Sequence, residues 1–201
     1  MDDVENTMKQ VRKNSIAIAT RTILDAVDPK PSRPGIAETP DRVAKAWQHW
    51  TSGYHVDIPA LLKVFEDGAE NYNEMVLVKD IPIYSKCEHH LADIFGSACI
   101  AYIPNGKVVG LSKLSRLADA FARRLQVQER MTTQIADALM EHLQPKGAAV
   151  VIRARHMCME SRGLCQQGHY TETSALRGEF ENGMRRVEFF AQTQVSNYRC
   201  M

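Results

Sequence analysis

Met75-Val-Leu-Val-Lys-Asp-Ile-Pro-Ile-Tyr84 and then Phe95-Gly-Ser-Ala-Cys-Ile-Ala-Tyr-Ile103 carry the density of β-branched and aromatic residues that suits strands. Pro104-Asn-Gly106 supplies a turn into Lys107-Val-Val109. Toward the C-terminus the period changes. From Ser112 to about Leu143, the residues Leu114, Leu117, Ala118, Phe121, Leu125, Ile135, Ala138 and Leu139 recur at helical spacing, which predicts two helices in succession, ended by Gln144-Pro-Lys-Gly147. Ala148-Ala-Val-Val-Ile-Arg-Ala-Arg-His-Met-Cys158 returns to strand character, and Tyr170 to about Phe180 is a weaker strand. Met184, Val187, Phe190 and Ala191 predict a closing helix. The order β-β-α-α-β-β is that of an α+β domain with a mostly antiparallel sheet.

Toward the N-terminus, apolar residues from Val4 to Val27 predict one long helix. Asp28-Pro-Lys-Pro-Ser-Arg-Pro-Gly35 breaks it. Thr39 then reads as an N-cap, with Pro40 at the first helical position of a helix running to about Trp50, and Asp57 to Phe65 as a shorter helix. Residues 1–70 are therefore expected to form a helical extension, and residues 71–201 the sheet-bearing domain.

The composition is that of an ordinary globular chain, 44% hydrophobic and 24% charged over 201 residues. A net charge of +1 provides no overall field for nucleic acid or an anionic membrane, so an anion site must come from locally clustered cations. No apolar run approaches the ~20 residues that span a bilayer, and Met-Asp-Asp-Val-Glu-Asn lacks signal-peptide character. The expectation is a cytoplasmic protein with neither a nucleic-acid nor a membrane partner. Five cysteines, Cys87, Cys99, Cys158, Cys165 and Cys200, are an odd number thinly spread, which favours reduced thiols with some of them metal ligands.

Ser85-Lys-Cys87-Glu-His89-His90 sets thiol and imidazole groups within four positions, and His156-Met-Cys158 adds another pair about 65 residues later. These are zinc-type ligands. On an extended strand His156 and Cys158 project from one face, and Cys87 and His90 can approach a metal from a loop while His89 points elsewhere. Finger spacing is far more compact, and spacing alone leaves structural and catalytic zinc both open.

Gly110-Leu-Ser-Lys-Leu-Ser-Arg116 opens the first central helix, with Ser112 as N-cap and Lys113 and Arg116 three apart on one face. Such a helix start can cradle phosphate, and Arg162 adds a further cation. Glu129, between Gln128 and Arg130, offers the acceptor pair that guanine N1–H and N2–H₂ require. An ordinary Glu–Arg surface pair fits the same residues.

Taken together, Cys87-Glu-His-His90, Gly110-Leu-Ser-Lys113, Gln126-Val-Gln-Glu-Arg130 and His156-Met-Cys-Met-Glu-Ser-Arg-Gly163 resemble GTP cyclohydrolase I, over a span from about Glu38-Thr-Pro-Asp-Arg-Val43 to Phe190. The resemblance implies a T-fold preceded by helices, in a homodecamer of two pentamers with active sites at subunit interfaces. It implies zinc held by Cys87, His90 and Cys158, with His89 and His156 as proton-transfer residues. Glu129 with Gln128 would clamp guanine, and Ser112, Lys113, Arg116, Arg162 and Arg42 would contact the ribose triphosphate. The implied reaction is conversion of GTP and water to 7,8-dihydroneopterin triphosphate and formate, the first step of pterin and tetrahydrofolate biosynthesis. One departure is Leu91-Ala-Asp-Ile-Phe-Gly96, where many members carry Val-Pro-Phe. Two other readings remain at this point: a zinc-stabilised assembly protein that binds nucleotide as a signal, and a related T-fold enzyme with different chemistry.

Overall fold

A computed structural model of the chain describes residues 2–62, 64–65 and 72–194. Its contacts divide into two compact units, Met1–Ser52 and Gly53–Met201. In the first, α1 (Asp2–Val27) packs on α2 (Thr39–Trp50). Between them Asp28 pairs with Arg33 and accepts from the Lys30 N–H at 2.9 Å, fixing the Pro-rich turn. Thr39 is the first helical residue rather than the cap. Glu38 occupies the cap position without a side-chain capping bond, and Pro40 follows in the first turn, where a missing N–H costs nothing.

The second unit begins with α3 (Ile58–Leu61), capped by Asp57, whose Oδ1 accepts from Ala60 N at 3.1 Å. The helix expected over Asp57 to Phe65 stops there, and β1 (Val64–Phe65) pairs with a later strand instead. The order continues with β2 (Val76–Cys87), β3 (Asp93–Ile103), β4 (Val108–Val109), α4 (Leu111–Ala122), β5 (Leu125–Gln126) and α5 (Gln128–Leu143). It closes with β6 (Gly147–His156), α6 (Met157–Glu160), β7 (Thr171–Gly178) and α7 (Gly183–Gln194). The five-stranded sheet runs β5-β2-β3-β6-β7, antiparallel except for the short parallel pair β5–β2. This is the mostly antiparallel β-β-α-α-β-β arrangement expected of a T-fold.

Alternation along β3 and β6 loads both faces of the sheet. Ile94, Ala98, Ile100 and Tyr102, with Ala148, Val150, Ile152 and Ala154, meet Leu114, Leu117 and Phe121 of α4 and Met131, Ile135 and Leu139 of α5. The opposite face, with Ala101, Ile103, Ala149 and Val151, is covered by Phe180 and by Phe189 of α7. Burying each large side chain contributes about 1.5–3 kcal/mol, so the α4/α5 layer dominates the stability of this unit. Gly96 faces Ala154 across β3–β6, where an added Cβ would lie 1.9 Å from Arg153 O. Only glycine admits that backbone approach.

Candidate active site

Three junctions meet at one end of the sheet. The first is the β2–β3 hairpin, closed by Cys87 N–H to Ala92 O and Leu91 N–H to Cys87 O, both 2.8 Å, with Leu91 in the left-handed region at φ 56°. This tight loop brings His90 Nδ1 to 3.9 Å from Cys87 Sγ. His89 is directed differently, with its side chain 64% exposed and Nε2 3.8 Å from Glu88 Oε1. The second junction is β6–α6. Registers Lys86↔Asp93 and Ile94↔His156 place the end of β6 beside that hairpin. The third is β5–α5, because the parallel pairing Cys87↔Gln126 and the bond Glu88 N–H to Gln126 O at 3.1 Å bring the start of α5 alongside Cys87.

The donor atoms of Cys87, His90 and Cys158 all lie within 4.8 Å of one another. Tetrahedral zinc bonds of ~2.0–2.3 Å separate their ligand atoms by roughly 3.5–3.8 Å, so only small adjustments would seat an ion. The strand expected to run through Cys158 ends at His156, and the chain turns into α6. That turn separates two residues that an extended strand would have kept on one face. Cys158 joins Cys87 and His90, while His156 Nε2 bonds Gln128 Oε1 at 2.8 Å. Burial raises the Cys158 thiol pKa, and the nearby Cys87 thiol adds to the rise. Metal binding at this site therefore displaces protons. Burial also lowers the pKa of the His156 imidazole, against the opposing carboxylates of Glu129 and Glu160.

Gln128 is buried, and its side chain is engaged within the protein. Nε2 lies 3.0 Å from each of Ile152 O, Thr171 O and Thr173 Oγ1, its two hydrogens shared among the three acceptors. At the first position of α5 its backbone N–H has no carbonyl one turn earlier to bind. Glu129 follows, exposed, in the first turn. Arg130 pairs with Glu88 rather than with Glu129, and its Nε bonds Gln126 Oε1 at 3.2 Å. Sequence reasoning missed this tie between the metal loop and α5, because nothing local relates residues 88 and 130.

At α4 the N-cap is Gly110, not Ser112, which lies one residue inside the helix. A bend at Gly110 (φ −59°, ψ 131°) starts the helix without side-chain capping. Ser112 and Arg116 are exposed and Lys113 half-buried. Arg162, just beyond α6, is exposed and close enough for its charge to favour the Cys158 thiolate. Arg42 lies in the first unit on α2, paired with Glu38 at 2.7 Å.

A sequence model of the GTP cyclohydrolase I family matches residues 16–194. The chain belongs to the GTP cyclohydrolase I family. GTP cyclohydrolase 1 of Janthinobacterium sp. (strain Marseille) is 62% identical over 164 residues, covering 82% of this chain and 83% of its own. The GTP cyclohydrolase 1 of Nitrosospira multiformis is 55% identical over 170 residues, 84% of this chain and 89% of its own. That of Campylobacter jejuni subsp. jejuni serotype O:6 is 53% identical over 174 residues, 85% and 90% respectively. Among solved structures, the archaeosine synthase QueF-Like in its apo form covers 52% of this chain at TM-score 0.41 and 17% identity, too loose a match to say more.

Proposed function

We propose that this chain is a zinc-dependent GTP cyclohydrolase I, converting GTP and water to 7,8-dihydroneopterin triphosphate and formate. The observation that carries the reading is the convergence of Cys87, His90 and Cys158 at the sheet end that also holds His156 and the start of α5. Two thiols and an imidazole, with no carboxylate in the group, suit zinc rather than magnesium or calcium, and three ligands leave a fourth position open. Zinc bound there supplies Lewis acidity, the means by which water becomes a nucleophile at neutral pH.

The chain's own residues do the rest. Glu129 accepts the guanine N1–H and N2–H₂ as a charge-assisted pair, and the Gln128 backbone N–H, free at the start of α5, presents a donor beside it. Adenine lacks that donor pair and would leave the carboxylate without partners. Ser112, Lys113 and Arg116 at the start of α4, with Arg162, hold the triphosphate, and Arg42 is a further contact. His156, having taken up a second proton to become imidazolium, gives that proton to purine N7 as water adds at C8, drawing charge out of the ring and returning to the neutral imidazole. After the imidazole ring opens to a formamide, a second water cleaves it to release formate; His89 and His156 move protons during ribose rearrangement and closure of the new ring, which expels one water.

Assembly as a homodecamer of two pentamers, with sites at subunit interfaces, belongs to the same reading. Two features support it: among the described residues β2 before Lys86 and the outer side of β7 have no further strand partner, and α1 exposes Ile18, Ile23 and Val27. Free Cys87, Cys99, Cys158 and Cys165 fit a reducing cytoplasm, and no helix among the described residues is long and apolar enough to cross a membrane. Cys200 lies outside the described residues.

The test is formate release from GTP labelled at C8, before and after chelation and zinc restoration. Release that disappears with chelator and returns with zinc is the expected result. No release from zinc-loaded, assembled protein would refute the reading.

A further inference from the structure

The hydrogen-bond network behind His156 has a direction that chemistry alone determines. Gln128 Nε2 faces the carbonyl oxygens of Ile152 and Thr171 and the hydroxyl of Thr173, each at 3.0 Å. Carbonyl oxygens carry no hydrogen, so the amide nitrogen must be the atom turned toward them; the flipped amide would set three oxygens against one another. Its Oε1 is thereby aimed at His156 Nε2, 2.8 Å away, and an amide oxygen only accepts.

The backing continues. Thr132 Oγ1 donates to the backbone oxygen of Gln128 at 2.7 Å, which uses its one hydrogen. Thr173 must then donate in the 2.7 Å contact between the two hydroxyls. The result is a closed ring: Gln128 amide to Thr173, Thr173 to Thr132, Thr132 to the Gln128 carbonyl. Among the described residues no buried side-chain nitrogen or oxygen lacks a partner. Gln128 and Thr132 are each 1% exposed, so water offers the amide no alternative orientation.

We infer that Gln128, held by this ring, is a positioning residue that keeps neutral His156 in its Nε2–H tautomer, so that Nδ1 is the nitrogen that exchanges a proton with the substrate. Thr132 and Thr173 act one step further back, as positioning residues for the Gln128 arm. This rests on the proton-transfer role given to His156 above.

The experiment uses zinc-loaded, assembled enzyme with ¹⁵N-labelled histidine, read by solid-state NMR at neutral pH and assigned by the signals that vanish in His156→Asn. The wild type should show His156 with Nε2 protonated and Nδ1 bare. Gln128→Met, which keeps length and removes both amide atoms, should give a mixture of tautomers and lower kcat about tenfold or more, with KM for GTP moving much less. Thr173→Val should shift both readouts in the same direction by less, and Thr173→Ser should restore them. Unmixed Nε2–H tautomer in both Gln128→Met and Thr173→Val would overturn the inference, whatever happens to thermal stability. A mixed tautomer with unchanged kcat would leave Gln128 in its positioning role and instead refute His156 as the proton carrier.

Discussion

Glu129 and Arg130 show how far a local reading carries. Their adjacency is equally compatible with a surface ion pair and with a base clamp, and the structure separates the two by giving Arg130 to Glu88. Glu129 is left exposed at the start of α5, with no ion-pair partner among the described residues. A charge-assisted bond contributes roughly 1.5–3 kcal/mol, so Glu129→Gln should lower kcat/KM for GTP by about 10–150-fold and narrow the preference over ATP. An unaltered GTP/ATP ratio would remove Glu129 from the clamp. Arg130 is argued through Glu88. The pair is solvent-exposed and screened, so Arg130→Met should leave thermal stability nearly unchanged. Zinc affinity should nevertheless fall by an order of magnitude or more in chelator competition, because the loop bearing Cys87 and His90 loses its tie to α5. Equal zinc affinity in both proteins would show that the hairpin holds the ligands unaided.

Among the elements, β3 and β4 are joined by one buried phenol. Tyr102 is 1% exposed, and its oxygen accepts the Val109 N–H at 3.2 Å, fixing the turn that leads into α4. Burial pushes the Tyr102 pKa above its ordinary value, a rise that the Val109 bond opposes. The folded state thus keeps the neutral phenol. Its contribution is complete below the unfolded value of about 10 and is lost as pH climbs from there through the raised folded value. Tyr102→Phe should be less stable at neutral pH by roughly 1 kcal/mol, through the unpaired N–H, and should lose less stability between pH 9 and 12. Denaturant unfolding across that range decides it, and parallel curves for both proteins would exclude Tyr102 from the alkaline limb. The strand and helix periods were legible here, whereas the two-residue strands β1, β4 and β5 were not all foreseeable. Segments that short carry no period and exist only because a neighbouring strand is already in place.

At the scale of the whole molecule, the apolar stripe of α1 is the feature a lone chain explains least. Ile18, Ile23 and Val27 are 68%, 60% and 71% exposed. Each buried side chain of this kind stabilises an interface by about 1.5–3 kcal/mol, so Ile18→Asp with Ile23→Asp should drive the assembly to smaller species. Native mass measurement is the check. A wild-type monomer would refute both the decamer and the placing of active sites between subunits, and an unchanged mass in the double variant would put α1 outside the interfaces.

What the sequence determined by itself was the class of fold, the family and the residue types at the site. Periods of two and 3.6 are written into neighbouring side chains, and the Cys-Glu-His-His and His-Met-Cys motifs are short and contiguous. Only the tertiary structure decided how those motifs meet. Cys158 reaches Cys87 because β6 ends at His156, the register partner of Ile94, and the chain turns at once into α6; the same break leaves His156 on Gln128. The Glu88–Arg130 tie and the Gln128–Thr173–Thr132 ring join residues about 40 apart. Bonds of that kind follow from strand order and register, which arise from burial across the whole sheet and leave no local pattern in the chain.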